Sequence, residues 1–373
     1  MFFRSEIMKI FRFRIFWIMI AACLLFNGFI IISGCSFTGK GTDIINSYVQ
    51  TGVQPSDDEW DFCGDFDDSK ANAVHQYYDR LDIKALLKQV GVGTADQSDA
   101  MKQFTDKIYD GVEKRIEEIK ADGEAEEKYY VGTTFGLHNT LYGTVLHTVL
   151  FECAVIATLI TAYIMNYEEI FHTHQSVYSS KRGRSLVFSK GLAGAAAAIA
   201  ASIILIGGTL LVFFIQVSQL GSFLRSSVSS AMATEPRGIL LYPFITWVKM
   251  SQFQYLLAVI GLMLAYALVA CLITFVYSFL SANAFLNAAF TALTYLIFFA
   301  VWFGFSNGTI FSLIQVFNPS MAMYSMNGWF MEFVLNPMTS YPGYETAVAF
   351  VYIVLALVIT VPLWKKFKKK DIN

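Results

Sequence analysis

The chain has 373 residues, 55% of them hydrophobic and 15% charged, with a formal net charge of -2. A soluble domain carries about 25% charged residues, so this composition, with a mean hydropathy of +0.50, excludes an ordinary soluble globular protein. There is no basic domain of the kind that binds nucleic acid, and no nucleic-acid partner is expected.

The apolar residues come in runs of about twenty, long enough to cross a bilayer. They predict an all-α polytopic membrane protein with six transmembrane helices. Residues 1–14 alternate large apolar and basic side chains. Phe3, Ile7, Ile10 and Phe11 share a helical face with Arg4, Lys9 and Arg12 largely off it, which predicts an interfacial helix on the cytoplasmic leaflet, with membrane lipids as its partner. The first span covers 15–34 and runs into ISGC, which resembles a lipoprotein signal with Cys35 as the acylated residue. That run is longer than the apolar core of a cleaved signal, so a retained helix is the preferred reading.

Residues 35–140 predict a mainly helical extracytoplasmic domain between the first two spans. The acids Asp57, Asp58, Glu59, Asp61, Asp65, Asp67 and Asp68 form no calcium-loop pattern and read as a solvated surface. Cys35 and Cys63 flank this stretch and are a candidate disulfide in an oxidising compartment. Cys23, Cys153 and Cys271 sit in apolar runs as small hydrophobes. Helical stretches are expected over 70–90 and 98–120. In the second, Met101, Phe104, Ile108, Val112, Ile116 and Ile119 form a stripe at i,i+3/i+4 spacing.

The second span, 144–165, contains Glu152. An intramembrane acid is costly and is a functional candidate by default, while a hydrogen-bonding role against another span stays open beside it. Residues 166–190, NYEEIFHTHQSVYSSKRGRSLVFSK, form a polar link to the third span, 192–216. That span's AGAAAAIAAS run offers a small-residue face for close packing. An external loop (217–254), a fourth span (255–279), a fifth (285–304), an external or re-entrant loop (305–344), a sixth span (345–364) and a basic tail (365–373) complete the chain. Arg4, Lys9, Arg12 and Arg14 fall on one side of the membrane. So do Lys181, Arg182, Arg184 and Lys190, and the five lysines Lys365, Lys366, Lys368, Lys369 and Lys370. The positive-inside rule therefore puts both termini in the cytoplasm.

Catalytic patterns find little footing. Glu168 and Glu169 resemble the start of an EExxxR protease motif, but Thr173 stands where the arginine belongs. There is no HExxH, and GFSNG at 304–308 is not a nucleophile elbow. His172 and His174, two residues apart, diverge on a helix, so no metal site is expected. GxxxxGK[ST] is absent, so a non-catalytic chain with no cofactor of its own is expected.

The six-span plan and the link between spans two and three resemble the permease subunits of ABC-2-type transporters of Gram-positive bacteria. The large domain after the first span is similar to the sodium-efflux-like and lantibiotic-immunity-like branch. The positions that carry the likeness are Glu168 or Glu169, SSKRGR at 179–184 with Gly183 and Arg184, and Lys190. The resemblance implies that 166–190 is a coupling segment docking on a cytoplasmic ABC ATPase subunit, which would bind ATP-Mg, and that residues 1–14 are a connecting helix against it. It also implies a second permease, as homodimer or heterodimer, in a bacterial cytoplasmic membrane. The function implied is export of an unidentified peptide, hydrophobic compound or ion. A membrane sensor or assembly protein binding a ligand through its acidic ectodomain, and an intramembrane protease, are the alternative readings.

Overall fold

The computed structural model describes residues 2–37, 99–122, 124, 138–179, 186–216, 220–225, 227–229, 245–304, 317–331 and 342–369. The expectations for Cys63, Gly183, Arg184, the 70–90 helix and the acidic stretch lie outside these residues, as does the side chain of Cys35. The protein is an all-α, multi-pass integral membrane protein. Among the described residues six helices are long and apolar enough to cross a membrane: Arg14–Ser33, Thr140–Met165, Leu186–Gln216, Gln252–Tyr277, Ala284–Val301 and Tyr344–Lys368. A helix satisfies every interior backbone group within itself, which hydrocarbon demands.

In chain order the helices are α1 (Phe2–Phe11), α2 (Arg14–Phe37), α3 (Asp99–Ala121), α4 (Leu146–Met165), α5 (Tyr167–Ile170), α6 (His174–Tyr178), α7 (Leu186–Gln216), α8 (Leu220–Arg225), α9 (Gln252–Tyr277), α10 (Ala284–Gly304), α11 (Pro319–Tyr324) and α12 (Tyr344–Lys369). A π-helical turn, Asn139–Val145, leads into α4. Successive spans alternate in direction. One end of the bundle, the basic end, therefore collects α1, α5, α6, the α9–α10 link and the last turns of α12.

The local chemistry explains the element boundaries. Asn166 leaves helical geometry (φ -104°, ψ 15°) and turns its amide back to donate to Ala162 O at 2.8 Å, ending α4. Ser251 and Gln254 form a capping box at the start of α9, each side chain satisfying a backbone N–H the helix leaves open. Asn318 caps α11, with Pro319 following it in the first turn.

The spans α4, α7 and α9 make the centre. Ala193, Gly194, Ala197, Ala198 and Ala201 of α7 are all buried. A methyl placed on Gly194 would lie 3.2 Å from the Ile164 side chain, and one on Gly191 would lie 2.6 Å from the Phe275 ring. Small residues let helices approach where no water drives them together. By contrast α2, α10 and α12 expose long apolar faces, among them Leu25 and Phe29, Phe285 and Leu296, and Phe350 and Val358.

The far end is closed by an aromatic cap. Trp329 is stacked on Tyr266 at 5.5 Å between ring centroids and donates to Ala322 O at 2.7 Å. Tyr266 donates to Glu345 O at 2.8 Å, and Phe330 N donates to Glu345 Oε1 at 3.0 Å. His138, Tyr142 and Tyr255 pack ring against ring. Burial holds the His138 imidazole down at about 4, so it is neutral at physiological pH, with Nδ1 3.1 Å from Gln252 Oε1. The α3 helix is tied to this end through Arg115, which is paired with the buried Glu124 at 2.8 Å and donates to Thr246 O at 2.9 Å. Val112, Ile116 and Ile119 of the expected α3 stripe are buried.

Candidate functional site

The basic end holds a buried ionic junction. Glu168, in the first turn of α5, is 3% exposed, and Lys190 of α7 is 0% exposed. The two are ion-paired. Lys9 of α1 lies 3.2 Å from the other oxygen of Glu168 and 2.7 Å from Glu6 Oε1. Two carboxylates and two ammonium groups thus meet with no net charge. An α1 residue, an α5 residue and an α7 residue share one contact. Lys9 also sits over the Tyr167 ring at 4.5 Å and Lys190 over Tyr178 at 6.0 Å, so the aromatic faces add to the solvation the water no longer supplies.

Around this core the groups become more exposed. Glu169 points outward, with Oε2 3.2 Å from His174 Nδ1. Burial, with the carboxylates of Glu169 and Glu6 beside it, pushes the Tyr178 hydroxyl up to about 12, so it stays a neutral phenol. Tyr178 meets Phe367 of α12 edge to face at 5.7 Å. His172 takes a positive φ of 54° in the turn between α5 and α6.

Several sequence expectations change in detail. At the end of the second span Glu168 and Glu169 would oppose its dipole. The break at Asn166 instead places them in a separate short helix. The third helix starts ahead of the expected residue 192: it is already formed at Leu186, and Lys190 lies a turn inside it. Among the described residues the ionic partners of Glu168 are Lys9 and Lys190; Arg182 and Arg184 lie outside them. The face expected for α1 is split. Glu6 and Ile10 turn into the bundle, whereas Phe3, Met8 and Phe11 are exposed.

A second polar junction lies at mid-membrane. Glu152, halfway along the second span, accepts a hydrogen bond from Asn27 Nδ2 of α2 at 2.7 Å. The same nitrogen lies 3.1 Å from Thr209 Oγ1 of α7, and Cys23 of α2 also hydrogen-bonds the Glu152 carboxyl. Cys153 is buried beside it, and Cys271 accepts from Thr161 Oγ1 at 3.1 Å. Among the described residues no group of three or more His, Cys, Asp or Glu could hold a metal ion.

Glu6, Asn27 and Thr209 were not singled out from the sequence, and Lys9 was named only among the basic residues that orient the chain. Glu6 carried a local signal, as the one acid in an otherwise basic N-terminal segment, three residues before Lys9. Asn27 carried another, as an amide inside an apolar run. Their partners lie 125 to 182 residues away for Asn27 and 159 away for Lys9, beyond the reach of any local pattern. Set against known proteins, the chain finds no matching family model, no matching curated protein and no matching solved structure.

Proposed function

We propose that this chain is the transmembrane permease subunit of an ABC transporter of the ABC-2 type, working as an exporter with a separate ATPase subunit that binds ATP-Mg. The observation that supports this reading is the Lys9–Glu168–Lys190 junction. It fastens the N-terminal helix, the link after the second span and the start of the third span into one unit at the basic end. A surface element tied rigidly to two spans passes a push from a docked subunit directly into the bundle. In this reading Glu168 and Lys190 hold the unit together. Glu169, with Gly183 and Arg184 of the same link, meets the ATPase. A second permease, identical or not, faces the exposed spans. The cargo class is a peptide, a hydrophobic compound or an ion.

The test is purification of the native chain with its operon products in mild detergent. A bound ATPase is expected, and Glu169→Lys should strip it or remove stimulation of its ATP hydrolysis while leaving the chain inserted and folded. A native chain that retains no ATPase overturns the proposal. So does a Glu169→Lys chain that binds and stimulates the ATPase as the native one does.

A further inference from the structure

The geometry assigns to Glu152 and Asn27 an exchangeable proton site at the middle of the membrane, shared by spans one, two and three. Glu152 is only half-buried, and its neighbours Phe151 and Val155 are exposed on the same face of α4. No described cationic side chain pairs with it, yet an isolated anion at this depth is costly. The titratable groups packed around it are Cys23 of α2 and Cys153 of its own helix. From α7 come Thr209 and Ser202, which do not titrate. No neighbouring charge therefore neutralises the carboxylate, and a proton is the simplest ligand that does.

Asn27 suits both forms of such a site. Its Nδ2 donates to Glu152 Oε2 at 2.7 Å, which satisfies the carboxylate. Its Oδ1, on the other arm of the same amide, is buried without a hydrogen-bond partner. Asn27 itself is 1% exposed. The two arms of an amide have nearly the same shape but opposite hydrogen-bonding sense. A half-turn of the amide brings Oδ1 to where Nδ2 stands, and there it accepts from a protonated Glu152. Thr209 follows either state, because its hydroxyl both donates and accepts. The step balances as hydronium plus carboxylate giving carboxyl plus water, with the new O–H bond on Oε2. The half-exposed side of Glu152 is where water reaches it.

This site stands whether or not the chain works with an ATPase. Its test is infrared difference spectroscopy of the full chain in lipid nanodiscs, titrated with acid and base. One component of the protonated-carboxyl band that appears reversibly on acidification should be missing in Glu152→Gln, while the components of the other acids, the buried Glu345 among them, titrate in both chains. In Asn27→Leu that component should persist with its midpoint displaced by about one pH unit or more, since hydrogen bonds to one protonation state move the balance between them. That second variant keeps the carboxyl, so it reads the site even where Glu152→Gln folds poorly. A native chain whose titrating carboxyl components are all retained in Glu152→Gln overturns the assignment. So does a titration unchanged in Asn27→Leu. A Glu152 component removed at constant pH by sodium or potassium chloride, but not by choline chloride, also overturns it, as the site would then hold a metal cation in place of the proton.

Discussion

Lys190 has a four-carbon stem ending in an amine, and it is completely buried inside a membrane protein. Its place is tolerable only because Glu168 meets it and Lys9 completes the neutral set. Breaking a buried ion pair by removing one partner strands the other charge and costs about 3–5 kcal/mol, whereas replacing both is far milder. Glu168→Gln should therefore lower the unfolding midpoint of the purified chain by an amount in that range, and Glu168→Gln with Lys190→Met should recover most of it. The non-additivity of that double-mutant cycle is the measurement. Equal loss in the single and double variants would show that the pair is not what the site depends on. The sequence made Glu168 and Lys190 visible because each stands where a polar link meets an apolar run. Their pairing was hidden: 22 residues of chain separate them, and the companion residue Lys9 lies 159 positions from Glu168. A charge map assigns sides of the membrane, not neighbours.

At the scale of the helices, the small-residue run of α7 was legible, and its effect is close contact with α4 and α9. The consequences differ from glycine to glycine. Gly194 meets Ile164 across the α4–α7 seam, whereas Gly207, one helix face away, has nothing within 4 Å of an added methyl. Gly194→Val should thus destabilise by about 1–3 kcal/mol through overpacking, and Gly207→Ala should be neutral or slightly stabilising, compared by thermal unfolding in the same detergent. Equal effects at the two positions would rule out the seam as the cause. Helix boundaries were harder to see. The second span begins in a π-turn, α7 is already formed at Leu186, and α4 ends where the Asn166 side chain turns back on Ala162 O. Hydropathy alone averages over such turns. The α1 helix shows the same limit. Its apolar stripe was plain in the sequence, yet the side it buries carries Glu6 as well as Ile10, and Lys9, the partner of Glu6 on the same helix, reaches on to Glu168.

For the whole molecule, the charge segregation that orients the chain makes a direct prediction. Ser179 and Ala282 are at the basic end, and Val248 is exposed at the far end. Single cysteines placed at 179 and 282 should react with a membrane-impermeant thiol reagent only when it is given from the cytoplasmic side. One at 248 should react only from outside. The five native cysteines set the background, which the unsubstituted chain measures; among the described residues Cys153 and Cys271 are buried and Cys23 is half-buried. The same sidedness at all three positions would contradict a six-span path. The exposed apolar faces of α2, α10 and α12 are what lipid or a neighbouring subunit covers, and the buried trio of α4, α7 and α9 is what gives the bundle its own stability.

Asn27 also bears on how the protein is made. It lies in a span that leaves the ribosome before those of its partners, and its described hydrogen bonds reach Glu152 in the second span and Thr209 in the third. Entering the bilayer alone, the first span would carry a bare amide and the second a bare acid, each at a cost of solvation. The arrangement favours holding the early spans beside the insertion machinery until the third arrives, and releasing them into lipid as a set. The same atoms that join three helices in the finished protein thus impose an order on its biogenesis.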